Sequence, residues 1–292
     1  MDRAQRFRIV AQPAIPLDRL VAGRSVGDVA ELLPRIFNMC RTAQWLAARL
    51  ALGIAPPAGV IDTLCDEIAR EHALALAVRI PAAMGLPPGR DLRRTMAARH
   101  AVLLPQGDLP GDADGFRAFL RSRCGIAPLL RRIDRVFGPD TAVCTTLPTS
   151  HPGNMFGTGP VENSCAVRHA SHPAMRLIET TRGRGPLWRI AGRVLDLVAA
   201  EERRLPLPCR IAPGYAVVPA SRGSYGLRCE VEAGVVRRIE RATPTGHMLA
   251  PGGIAEQAMA TLPPGKRTLA EVALAILDPG MPVKIAPEKQ HA

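Results

Sequence analysis

Lysine is nearly absent from this chain. Of its 38 basic residues only three are lysines, Lys266, Lys284 and Lys289. The net charge of +12 is therefore an arginine charge, in a sequence also rich in Ala, Gly and Pro. That pattern fits the codon choice of a GC-rich genome, and it leaves an acidic protein or a nucleic acid as the alternative explanation. Aromatic residues are also scarce, at 3%. No stacking platform accompanies the scattered arginines, so a dedicated nucleic-acid surface is not expected. No apolar run reaches the length of a membrane-spanning helix. The opening residues, MDRAQRFRIV, lack the apolar core and cleavage site of a signal peptide. A cytoplasmic protein with no membrane association is expected. Its seven cysteines run from Cys40 to Cys229 without a Cys-x-x-Cys pair, so they read as free thiols of a reducing compartment. There is no Ser-His-Asp order, P-loop or GxGxxG, which removes support for hydrolase, NTPase and dinucleotide readings.

What remains is a globular composition, 47% hydrophobic, whose core must be built from Leu, Val, Ile and Ala. Ser25 with Asp28 resembles a capping box opening a short helix, which Pro34 should break. A second helix is expected from about Arg35 to Leu52, closed by Gly53. Ile36, Cys40, Ala43, Ala47 and Leu50 then share one face, and Cys40 points inward. Further helices are expected near 58–75, 90–100, 114–136, 173–203 and 268–277. Residues 147–159 read as loop. Residues 215–219, 227–231 and 235–242 read as strands with a hairpin pattern. No internal repeat or long linker is evident, so a single domain over 1–292 is expected.

Four blocks, in order, resemble nickel–iron hydrogenase large subunits. Gly23-Arg24 followed by Arg35-Ile36-Phe37-Asn38-Met39-Cys40-Arg41-Thr42-Ala43-Gln44 matches the register of Arg-x-Cys-Gly-x-Cys-x-x-x-His. Here Phe37, Asn38 and Gln44 replace the first cysteine, the glycine and the histidine. Gly159-Pro160 matches a central Gly-Pro, with Asn163 where arginine is usual. Pro219-Ala220-Ser221-Arg222-Gly223-Ser224-Tyr225-Gly226 resembles Glu-Ala-Pro-Arg-Gly-x-x-Gly. A hairpin and the pair Pro244-Thr245 follow it. Asp278-Pro279-Gly280-Met281-Pro282-Val283 resembles Asp-Pro-Cys-x-x-Cys, with Gly280 and Val283 at the cysteine positions. The resemblance covers about a third of the chain and implies a mainly α (α+β) fold, a truncated nickel–iron hydrogenase large-subunit-like domain with a small β-hairpin element.

A working centre of that family needs four thiolates, and soft thiolates suit nickel and iron. This chain keeps one, Cys40, at a position that bridges both metals. The combination resembles the HupK/HoxV type of accessory protein. It implies no enzyme activity. It implies instead a maturation scaffold that holds the Fe(CN)2CO fragment through Cys40 and passes it to the apo large subunit. Small chaperone and iron-assembly proteins would be the partners, and nickel is not expected. Arg222 and Thr245 stand where the family donates hydrogen bonds to the cyanides, and Arg35 stands at the motif arginine. The alternative is a metal-free chaperone acting through protein contacts. From the residues alone, Cys40 as plain core, Arg222 as a loop arginine and Thr245 as a turn residue stay open. His247 is a weaker ligand candidate. Cys165-x3-His169-x2-His172 has helical metal-ligand spacing without a fourth partner. Arg123-Cys124-Gly125 is an accidental echo of the motif.

Overall fold

The computed structural model describes residues 6–13, 15–37, 39–88 and 99–287. The chain opens with β1 (Phe7–Ala11), α1 (Leu17–Val21), α2 (Val26–Ile36), α3 (Arg41–Ala51) and α4 (Val60–Leu74). A π-helical stretch, Ala75–Arg79, carries α4 into α5 (Ile80–Ala83). Next come α6 (Arg99–Leu103), α7 (Ala113–Arg121) and α8 (Ala127–Phe137), a 3-10 turn at Cys165–His169, α9 (Pro173–Arg182) and α10 (Pro186–Glu201). Four strands follow: β2 (Cys209–Ala212), β3 (Tyr215–Ala220), β4 (Gly223–Glu232) and β5 (Val235–Ala242). The chain ends in α11 (Pro244–Leu249), α12 (Ile254–Ala260), α13 (Arg267–Leu277) and β6 (Val283–Pro287). The strands β2-β3-β4-β5 form one antiparallel sheet, and β1 pairs with β6 in a second.

The expected mainly α fold with a small β element is what forms. Several boundaries differ, each for a local reason. Ser25 caps α2 as expected, its Oγ accepting from the Asp28 amide at 3.1 Å. Pro34 does not break α2 where it stands; the helix runs two residues further, to Ile36. The chain then leaves helical geometry before α3, so no continuous helix spans 35–52. The segment 114–136 is two helices, because Gly125 takes φ +53° at a place where a Cβ would lie 2.0 Å from Leu103 O. The segment 173–203 is two as well, separated by Gly183 at φ +73°. Most of the helix expected at 90–100 lies outside the described residues.

Helix α10 is the centre of the packing. Every residue from Pro186 to Ala200 is buried, which is how a helix enclosed on all sides reads. It touches α4, α6, α8, α9, α13 and the 3-10 turn. Two hydrophobic clusters meet along it. One joins α7, α8, α9, α12 and α13. The other joins α2, α3 and α4 to β3, β4 and β5. Where the 3-10 turn crosses α10, Gly192 permits the approach. A Cβ there would lie 2.4 Å from Ala166 Cβ and 2.5 Å from Ala166 Cα. Gly192→Ala should therefore destabilise the protein. The helix-propensity gain of about 1 kcal/mol is outweighed by overpacking of about 1–3 kcal/mol or more against backbone that cannot move cheaply. Thermal denaturation checks this, and an unchanged or raised Tm contradicts it.

Candidate functional site

Cys40 is presented by a turn. It is the N-cap residue of α3, at φ 51° and ψ 47°. That left-handed conformation is uncommon for a side chain other than Gly, Asn or Asp and marks sites where the surroundings hold the backbone. The expectation of Cys40 on the inner face of a helix is thus corrected: it is half-buried and aimed from the helix start. Its Sγ lies 3.2 Å from Ser221 Oγ, and Arg222 Nη1 approaches it at 3.9 Å. Burial raises the Cys40 pKa, while the Arg222 charge and the Ser221 hydrogen bond pull it partly back; Glu67 adds to the rise. The thiol is therefore neutral at pH 7.

Ser221 and Arg222 form the two-residue turn between β3 and β4. The turn faces inward: Ser221 is 1% exposed and Arg222 6%. The Arg222 guanidinium is fixed at several points. Nε donates to Asp278 O at 2.7 Å and Nη2 to Asp278 Oδ1 at 3.1 Å. Nη1 donates to Ser221 Oγ at 3.4 Å, and Glu71 lies 3.9 Å from Nη2. Asp278 sits at the left-handed C-cap of α13 and also receives Arg193 and Arg79. Burial alone would raise its pKa, but Arg193, Arg222 and Arg79 hold the carboxyl below its ordinary value. The result is a rigid guanidinium with one edge on a carboxylate and the other toward the thiol.

Thr245, in the first turn of α11, is 7% exposed, and its Oγ1 accepts from the Gly280 amide at 2.8 Å. A Cβ at Gly280 would lie 3.1 Å from Thr245 Oγ1 and 3.6 Å from Arg222 Cδ. Cys40, Arg222, Thr245 and the Gly280 position therefore adjoin one another, although they come from four separate parts of the chain. Phe37 is half-buried, with the Arg241 guanidinium 3.7 Å above its ring. Gln44 is buried and donates to Met39 O at 2.7 Å, and its Oε1 finds no partner among the described residues. Val283 opens β6. Asn38 lies outside the described residues. Arg35 is not brought to the cluster. It is exposed near the end of α2, and α2 ends at Ile36, before Cys40 opens α3. Arg222 is the cation that acts on the thiol.

The weaker ligand candidates resolve otherwise. His247 has both ring nitrogens engaged: Nε2 with Met155 O at 2.8 Å and Nδ1 with Asn163 Nδ2 at 2.9 Å. Asn163 also brackets Ser224 with both its side-chain atoms. Cys165, His169 and His172 do not converge. His172 caps α9 and faces Asp108, whereas His169 binds Asp196. His72, Cys165 and Asp196 do bring ligand atoms within 4.8 Å of one another. Asp196 is already saturated by His72, His169 and Arg168, and its pKa is held below the ordinary carboxylate value by them against its burial. With Arg168 and Arg193 beside it, a further cation is electrostatically disfavoured.

The sequence reading missed the charged residues of α10. Arg189, Arg193 and Asp196 stand at i, i+4 and i+7 and are all buried. Arg189 pairs with Glu162, Arg193 with Asp278, and Asp196 with Arg168. Three charges on one stripe of a helix that is otherwise apolar up to its last residue, Glu201, was the signal available, because such charges are rarely buried unless partnered.

Comparison with known proteins bears on the fold and the family. No family model matches the chain. The chain is 40% identical over 293 residues to the hydrogenase expression/formation protein HupK of Rhodobacter capsulatus, covering 99% of this chain and 96% of that protein. Among solved structures, it resembles the Ni-Fe-Se hydrogenase of D. vulgaris Hildenborough with a TM-score of 0.53 and 14% identity, covering 96% of this chain and 93% of that one. The G491S variant of that enzyme gives a TM-score of 0.54 at the same identity and coverage. These structures share the fold, which is the hydrogenase large-subunit-like fold that the four blocks imply. The identity to HupK along nearly the whole of both chains shows the family: this chain belongs to the HupK family of hydrogenase expression/formation proteins.

Proposed function

We propose that this chain is a non-catalytic scaffold that holds the Fe(CN)2CO fragment during assembly of a nickel–iron hydrogenase and passes it to the apo large subunit. Membership of a hydrogenase expression/formation family supports an accessory role in maturation. The observation that carries the finer reading is the convergence of one thiol with a fixed guanidinium and hydroxyls. Cys40 meets Ser221 and Arg222, with Thr245 adjoining across Gly280. Cyanides bound to iron carry negative charge and need donors once water is excluded. Arg222 turns its Nη1 edge there, an always-charged donor whose other edge is held by Asp278, and Thr245, whose Oγ1 accepts from the Gly280 amide, has a hydroxyl proton that can donate. The Cys40 thiol, neutral in the free protein, gives up its proton to bind iron. Small chaperone and iron-assembly proteins of the same pathway are the proposed partners.

A second reading has an observation in its favour. The Cys40–Ser221 contact completes the cluster without a metal. The chain would then act as a chaperone through protein contacts alone. Iron analysis and infrared cyanide and carbonyl bands, on protein co-expressed with its maturation partners, separate the two readings.

Nickel should not bind stoichiometrically, because Phe37, Gly280 and Val283 supply no sulfur. Metal analysis of tag-free protein checks this, and one nickel per chain contradicts it. Cys40→Ser should abolish the infrared bands and block maturation in cells, at a stability cost of about 1–3 kcal/mol. Cys65→Ser, on α4, is the control. Bands at wild-type level in Cys40→Ser, or equal loss in Cys65→Ser at matched stability, refute the assignment. Arg222→Lys keeps the charge but loses the fork, so iron retention should fall several-fold while the protein stays folded. Melting far below wild type would make Arg222 a structural residue instead.

A further inference from the structure

A hairpin turn ordinarily faces water, where its carbonyls find partners. The turn that carries Ser221 and Arg222 is buried, so its carbonyls must be met from within the protein. One short segment meets them. The Cys165 amide donates to Arg222 O at 3.1 Å. Arg168, three residues on, donates through Nη2 to both Ala220 O and Gly223 O, the two carbonyls that flank the turn. The other side of the same guanidinium, Nη1, holds Asp196 Oδ1 at 2.9 Å and Oδ2 at 2.7 Å. Asp196 is 0% exposed and is itself fixed by His72 Nε2 at 2.7 Å and His169 Nε2 at 2.9 Å. A planar fork thus ties the core of α10 to the backbone of the turn. Gly223 closes the arrangement. At φ +152° it lies so near Asn163 that a Cβ would be 2.1 Å from Asn163 O.

We propose that Arg168, anchored by Asp196, is the positioning residue of the iron-holding site. It sets the place of Ser221 and Arg222 relative to Cys40 without touching the cargo. This inference rests on the iron-scaffold reading for its purpose, but the hold on the turn is a property of the free chain and is measurable there. Lysine cannot replace arginine in this role. A single ammonium lacks the fixed fork that spans a carboxylate on one side and two carbonyls on the other.

The test is Arg168→Lys in the full chain, read in two arms. In the first, hydrogen exchange of the iron-free protein is followed by mass spectrometry. Exchange of the 220–224 segment should accelerate about tenfold or more, while the far half of β4, Arg228–Glu232, stays at its wild-type rate. In the second, protein co-expressed with maturation partners should show shifted or weakened cyanide and carbonyl bands at matched Tm, which a merely structural role would not produce. Should Arg168→Lys fail to fold, the double variant Arg168→Gln with Asp196→Asn removes both buried charges together, and the same two results are expected. Wild-type exchange at 220–224 overturns the hold on the turn. A loosened turn with unchanged bands overturns the positioning role. Absence of the bands from wild-type protein counts against the iron reading alone, and the exchange arm still decides whether Arg168 holds the turn.

Discussion

Everything around the candidate site hangs on charges buried along one face of α10. Arg189, Arg193 and Asp196 are each enclosed, and each is paired with a charge from another part of the chain: Glu162, Asp278 and Arg168. Removing one member of such a pair leaves an uncompensated charge in the core, at a typical cost of about 3–5 kcal/mol. Each of the three partners leads to the β3–β4 turn, whose Ser221 and Arg222 meet Cys40. Glu162 adjoins Asn163, which brackets Ser224 and His247. Asp278 fixes Arg222. Arg168 holds the Ser221–Arg222 turn from behind. The apolar surface of α10 gives the fold its cohesion, and its charged stripe gives the site its register.

That arrangement explains how a thiol can stand in a left-handed N-cap position and still be well placed. The strain at Cys40 is local, whereas the groups that meet it are fixed by the core. It also separates the two chemistries of the site. Without metal, burial keeps Cys40 neutral and Ser221 satisfies it. On the proposed scaffold reading, a ferrous fragment would favour the thiolate, which Arg222 already faces.

Much of the fold was readable from periodicity, caps and turn residues. The strands after Tyr215 and the helix over Thr268–Leu277 stood out because their patterns are regular and their ends are marked by Gly and Pro. The blocks around Cys40, Arg222, Thr245 and Gly280 pointed to one site before any contact was known. The errors have physical causes. The apolar face shared by Ile36, Cys40 and Ala43 continues in register across the break, so spacing alone carries the second helix back to Arg35 and puts the break at Pro34. Arg35 is implied only by its place in the motif, and it stands exposed near the end of α2. Gly125 and Gly183 passed as helix-interior residues because their role is set by neighbours distant in sequence. Arg168 and Asp196 carried no motif; only tertiary structure shows that their charges meet behind the turn.

The central claim is that one thiolate, Cys40, grips iron in a site built for a dicyanide fragment. X-ray absorption at the iron edge, on protein co-expressed with its maturation partners, tests this most directly. The account predicts iron bonded to light atoms and to a single sulfur, with that sulfur lost in Cys40→Ser. No sulfur at the iron of the wild-type protein, two or more, or a single sulfur that survives the substitution, would contradict it.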